Sequence, residues 1–143
     1  MSGLHVRASV AETGESPFSV RIDVGGHVLT GDEPVETGGG GLGPAPYQLL
    51  TAALAECTAM TVRWYARQHG WPVEHVAVTV DYNREKITGA SGTGDVFTKT
   101  VAIRGPELTL EQRERLLDVA AKCPVHRTLE GRVDITTLAA EPA

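Results

Sequence analysis

The 143-residue sequence has no run of lysine and arginine long enough to follow a phosphate backbone. Its 13 basic residues are outnumbered by 18 acidic ones, for a net charge of -5. That balance argues against a nucleic-acid partner. No apolar run is long enough to cross a bilayer. The longest apolar-rich stretch, residues 47–66, is broken by Gln48, Thr51, Glu56, Thr58, Thr61 and Arg63, so no membrane span is expected. The first ten residues, MSGLHVRASV, alternate like a strand and lack an apolar core; no secretory signal is expected there. Cysteine is scarce, at two residues. Two thiols without an export signal suit the cytoplasm, where they are kept reduced. A chain of this length fits one domain, 1–143, able to bury a core without disulfides or metal.

Several chemical motifs are absent as well. The Gly38–Gly43 loop precedes a helix but lacks the Gly-Lys-Ser/Thr ending of a phosphate loop and the strand context of a dinucleotide fold. It reads as a floppy approach to the helix. No Gly-x-Ser-x-Gly elbow exists, and Ser91 lies among small loop residues. Of His5, His27, His69, His75 and His126, only His126 stands near a cysteine, three residues after Cys123. One Cys-x-x-His falls short of the four ligands of a structural site. Neither a metal nor a cofactor is expected.

What the chain does have is clear alternation and two helical patterns. Strands are expected over 4–30. Val6, Ala8 and Val10 alternate with polar neighbours, as do Phe18, Val20, Ile22 and Val24. Gly25-Gly26 signals a hairpin returning through 27–30. Pro46 suits the first turn of a helix that Gly70 and Pro72 end. This central helix, 46–69, would be about 35 Å long. Leu50, Ala53, Leu54, Cys57, Thr61 and Trp64 share one face, and the wide apolar arc predicts a helix covered on most sides. Strands follow over 75–104, joined by a connection near 83–95. Thr109 and Gln112 form a capping box opening a helix over 109–123, which Pro124 stops. Val133, Ile135 and Thr137 predict a last strand, 132–138. The order β-β-β-α-β-β-α-β points to an α+β fold with a largely antiparallel sheet.

The cysteines carry the remaining chemistry. Cys57 lies mid-helix among Ala53, Leu54 and Met60, and Cys123 lies 66 positions later at a helix end. Each alone reads as a small buried hydrophobe. They cooperate only if the fold joins them.

The segments GPAPYQLLTAALAECTAMTVRWYA (43–66) and LTLEQRERLLDVAAKCPVHRTLEG (108–131) resemble the OsmC/Ohr family of thiol-dependent hydroperoxidases, in its OsmC-like branch. The resemblance implies an intertwined homodimer, with a strongly bent sheet wrapped around two long central helices and each site at the dimer interface. It implies that Cys57 is the peroxidatic thiol and Cys123 the resolving one. A hydroperoxide is the substrate, and a dithiol reductant closes the cycle without metal or cofactor. Leu50, Leu54, Met60 and Trp64 would line the substrate pocket and suit a bulky organic hydroperoxide.

The sequence departs from the well-studied members of that family. Their activating arginine belongs to the first hairpin loop, which here is AETGESPF. The glutamate that holds it corresponds to Tyr47, followed by Gln48. Arg7, Arg21, Arg63, Arg84 and Arg127 are the candidate replacements, with Arg127 and His126 beside Cys123. Without a cation, a mid-helix Cys57 keeps a pKa of about 8.5 or above, and a thiol at a helix C-terminus is opposed by the dipole. These departures sustain an alternative: a non-catalytic module of the same fold that holds a small hydrophobic ligand at the dimer interface.

Overall fold

The computed structural model describes residues 4–86 and 92–141. Ser91 and part of the 83–95 connection lie outside the described residues. The chain forms two compact units, one ending at Leu50 and the other beginning at Thr51.

The first unit is a three-stranded antiparallel sheet, β1 (Ala8–Glu12), β2 (Val20–Val24) and β3 (His27–Gly31), in the order β1-β2-β3. Val24 pairs with His27 across a two-residue turn. Gly25 and Gly26 both have positive φ, 59° and 80°, as a primed hairpin turn requires. The glycine-rich loop that follows is held in place rather than floppy. Asp32, 3% exposed, lies inside it. Its carboxylate accepts from Ser16 Oγ (2.9 Å to each oxygen) and from the N–H groups of Glu33 (2.8 Å), Gly40 (3.1 Å) and Leu42 (3.2 Å). A Cβ on Gly39 would meet Glu33 O at 2.0 Å, so only glycine lets the loop close this tightly. The amides that resemble a phosphate cradle are thus occupied by the chain's own carboxylate.

Helix α1 runs Pro46–His69, as its sequence signals indicate. Gln48 Oε1 accepts from Ala45 N–H (2.8 Å) at its start, and Gly70 at φ 64° ends it. The buried stripe is Leu54, Thr58, Val62 and Ala66, at strict four-residue steps. The helix is less covered than its apolar arc predicts, because Met60 and Trp64 are exposed in the single chain.

In the second unit β4 (His75–Lys86) and β5 (Thr93–Arg104) pair antiparallel, from His75↔Arg104 to Lys86↔Thr93. The strands extend further into 83–95 than the composition of that segment suggests. Helix α2 (Leu110–Ala120) opens with the expected capping box of Thr109 and Gln112. Arg113 ties it to β5 by donating to Ile103 O (3.0 Å) and Gly105 O (2.5 Å). The core joins Val62, Ala66, Val73, Leu108, Leu116 and Ala120.

Two expectations fail at the C-terminal end. The helix expected over 109–123 stops at Ala120, and a second one, α3 (Pro124–Glu130), begins at Pro124. Proline starts this helix instead of ending the previous one, because its missing N–H costs nothing at the first position. Residues 132–138 form no strand. Their alternation is real, but a strand needs a neighbour to bond with, and among the described residues none pairs with it. Among the described residues no helix is long and apolar enough to cross a membrane.

Candidate functional site: a polarised thiol pair

Helix α1 and the α2–α3 corner bring the two cysteines together. Both are free thiols, Cys57 half-buried and Cys123 fully buried. Both converge on the same corner: Val125 N–H reaches Cys57 Sγ, and Thr58, the residue after Cys57, reaches Cys123 Sγ, each at 3.5 Å. The short α2–α3 break builds the corner. Cys123 is the N-cap of α3, with extended backbone, and its Sγ accepts from His126 N–H (3.4 Å). Val125 N–H, one residue earlier, points at Cys57 Sγ (3.5 Å). The first amides of α3 therefore serve both sulfurs. The expected position of Cys123 at an opposing helix C-terminus is corrected: it stands where amide donors converge.

The surroundings of the two sulfurs differ. Thr58 Oγ1 lies 3.5 Å from Cys123 Sγ and donates to Leu54 O (2.8 Å). Lys99 Nζ, from β5, lies 3.8 Å from Cys123 Sγ and donates to Ala120 O (2.8 Å). Burial alone raises the Cys123 thiol, but hydrogen bonds from Thr58, His126 N–H and Cys57, with the Lys99 charge, bring it below its ordinary value. Cys57 moves the other way. Burial raises it first, and its hydrogen bond to Cys123 and the charge there raise it further, against lowering bonds from Val125 N–H and Thr61. The two shifts run in opposite directions, so ionisation of the pair favours Cys123 over Cys57.

Of the candidate arginines in the second unit, Arg63, Arg84 and Arg127, none takes this place. Arg63 donates to Val73 O (2.8 Å), Arg21 pairs with Asp23 (3.0 Å) and Arg84 with Asp95 (3.1 Å). Arg7 and Arg127 are exposed. The His126 ring is turned to Glu130 (3.2 Å). The cation at the pair is Lys99, which the sequence reading missed. A signal was there: Lys99 has the strand parity of Phe97, Val101 and Ile103, the covered side of β5. A lysine on an apolar parity needs a partner.

The apolar residues expected around Cys57 are not gathered. Leu54 is core, at 2% exposure, while Leu50, Met60 and Trp64 are exposed. Met60 and Trp64 line an open groove of about 390 Å³ with Ala59, Arg63, Arg67, His75 and Val76. Among the described residues no group of three or more His, Cys, Asp or Glu side chains could hold a metal ion.

Comparison with known proteins adds a family. Residues 38–138 match the family model described as OsmC-like protein. The fold is similar to an OsmC-like protein of Mycoplasma pneumoniae, at TM-score 0.72 and 20% identity, over 90% of this chain and 89% of that one. It is similar to the organic hydroperoxide resistance protein OsmC of Legionella pneumophila, at TM-score 0.67 and 23% identity, over 94% and 95%. An organic hydroperoxide resistance protein of Elizabethkingia anophelis gives TM-score 0.66 and 19% identity, over 92% of each chain. No curated protein sequence matches the chain.

Proposed function

This chain belongs to the OsmC-like protein family, and we propose that within it the chain is a thiol peroxidase that reduces organic hydroperoxides through Cys57 and Cys123. The observation that carries the reading is the convergence of the two thiols on the α2–α3 corner, one reachable and one buried. The names of the Legionella and Elizabethkingia neighbours, both organic hydroperoxide resistance proteins, support the substrate class.

The chemistry closes with residues present. The Cys57 thiolate attacks one peroxide oxygen, the O–O bond breaks, and the alkoxide leaves as an alcohol after taking a proton. Cys57 is oxidised to a sulfenic acid. The Cys123 thiolate attacks the Cys57 sulfur, the S–O bond breaks, and hydroxide leaves as water. The resulting disulfide is reduced by exchange with a dithiol, which is itself oxidised to its disulfide. The exposed Met60–Trp64 face of α1, with other large exposed apolar residues such as Val10, Phe18 and Leu117, favours burial against a second copy of the chain. In that homodimer Met60 and Trp64 would wall an apolar entrance.

The raised Cys57 thiol favours a second reading, a non-catalytic module that holds a small hydrophobic ligand at the same interface. One experiment separates the two. The reduced protein is mixed with a stoichiometric organic hydroperoxide and its disulfides are mapped by mass spectrometry. A Cys57–Cys123 linkage within seconds, absent in Cys57→Ser, is expected. Two free thiols and undiminished peroxide would leave the module as the better account.

A further inference from the structure

The cation and solvent access fall on different sulfurs. Cys123, with Lys99 and Thr58 beside it, is 0% exposed, and Cys57 is the one with a path to solvent. A peroxide reaches the sulfur without the cation and not the sulfur beside Lys99. We propose that Lys99 is a positioning residue that keeps Cys123 as the internal base of the pair, so that the buried sulfur takes the Cys57 proton as Cys57 attacks and returns it to the departing alkoxide. This rests on the peroxidase reading above and adds a role for Lys99 and a second role for Cys123.

The geometry supports the assignment in three ways. The ammonium is anchored at Ala120 O (2.8 Å), the last residue of α2, and a lysine still has protons to offer the sulfur 3.8 Å away. Lys99 occupies an apolar-parity position on β5, where an unpaired charge is costly. No other cation competes among the described residues. Arg63 is turned to Val73 O, Arg127 and Lys122 are exposed, and His126 faces Glu130. Glu56, the acid next to Cys57, is also exposed. From α1 the groups facing the charge are Cys57 and Thr58, from β5 Lys99, and from α3 the His126 N–H.

The proton balance is simple. The pair starts as Cys57–SH and Cys123–S⁻. Transfer gives Cys57–S⁻ and Cys123–SH. Attack breaks O–O, and the alkoxide takes the proton from Cys123. Cys123 is again a thiolate, ready to attack the sulfenic sulfur and expel hydroxide, which solvent protonates. One proton thus arms the nucleophile and leaves the resolving thiol armed in turn.

The test needs no peroxide at first. Thiolate absorbance is titrated in the reduced wild type, Cys57→Ser, Cys123→Ser, Lys99→Met and Lys99→Arg, and alkylation of each cysteine is mapped by mass. Cys57→Ser is expected to keep a thiolate at neutral pH and Cys123→Ser to lose it. Lys99→Met should move the titration up by about one pH unit, with a corresponding loss of thiolate at neutral pH. Lys99→Arg should restore most of it. Peroxide consumption by Lys99→Met should fall by roughly the same factor and recover in alkali. A neutral-pH thiolate that survives in Cys123→Ser and vanishes in Cys57→Ser would overturn the proposal, as would a titration indifferent to Lys99. If Lys99→Met fails to fold, the two cysteine variants and Lys99→Arg still decide. Absent peroxide consumption with a Lys99-dependent titration would refute the peroxidase reading instead.

Discussion

Two buried polar centres stand out among the described residues, one in each unit, and they are finished differently. Around Asp32 every donor is short: Ser16 Oγ at 2.9 Å and three backbone N–H groups between 2.8 and 3.2 Å. Around the thiols the contacts run from 3.4 to 3.8 Å, and the two sulfurs compete for a proton. A carboxylate with its lone pairs filled has nothing left to offer a ligand, and it serves the fold. A thiol whose proton its neighbour can take keeps its reactivity. The contrast separates a structural acid from a chemical site more sharply than burial does, since Asp32 is 3% exposed and Cys123 0%.

The largest effect should come from breaking the second centre. Cys57→Ser is expected to reduce peroxide consumption to the uncatalysed level, because the remaining thiol, Cys123, is buried away from the peroxide. Its melting temperature should stay within a few degrees of wild type, as one half-buried sulfur is replaced by oxygen. Parallel kinetics and calorimetry test this, and a large loss of stability would mean that the pair is a core element after all.

A core substitution gives the converse. Leu116, 0% exposed, packs in the cluster with Val62, Ala66 and Ala120. Leu116→Ala should cost about 2–5 kcal/mol in denaturant unfolding. Thiol titration of the fraction that remains folded should be unchanged, because the sulfur donors come from α1, β5 and α3. A shifted titration would show that packing of α2 sets the sulfur geometry.

Asp32→Asn should lower stability at neutral pH without touching thiol reactivity. The sign follows from linkage. Burial raises the Asp32 carboxyl, but hydrogen bonds from Ser16 and the N–H groups of Leu42, Glu33 and Gly40 outweigh it and hold it below its ordinary value. A lowered folded pKa gives stability that is complete above the unfolded value of about 3.9 and lost as pH falls through the folded one. The melting deficit of Asp32→Asn should therefore be largest near neutrality and shrink below about pH 4. A deficit constant with pH would mean the ionised carboxylate does not matter.

Much of this contrast was legible in the sequence, and the limits are physical. Local signals gave α1, bounded by Pro46 and Gly70, the Gly25-Gly26 hairpin and the Thr109 capping box. Pro124 was ambiguous, because proline suits the position after one helix and the first position of the next. That ambiguity hid α3, and with it the amides that serve both sulfurs. Lys99 stood out by parity, but its partner comes from another element, and spacing cannot supply one. The glycine loop concealed its order for a related reason. Composition shows that backbone is free to bend, while the carboxylate it bends around is set by Asp32, just before the loop. The alternation at 132–138 marked a strand with no neighbour.

The smallest expected effect gives the sharpest test of the comparison. Thr58 has one hydroxyl proton and two claimants. It donates to Leu54 O at 2.8 Å while its oxygen lies 3.5 Å from Cys123 Sγ. With Cys123 protonated, the hydroxyl can serve Leu54 and accept from the thiol. With Cys123 ionised, the proton is worth more on sulfur, since hydrogen bonds to charged groups are roughly twice as strong. Thr58 is therefore expected to change partner as the pair titrates, a freedom that Ser16 lacks with its hydroxyl held by both oxygens of Asp32. Thr58→Val removes that donor at nearly constant volume. It should raise the Cys123 titration by about half a pH unit, with stability changed by about 1 kcal/mol or less. Thr58→Ser should titrate like wild type. If Val and Ser variants titrate alike, the hydroxyl belongs to Leu54 at every pH, and the sulfur owes its charge to Lys99 and the α3 amide alone.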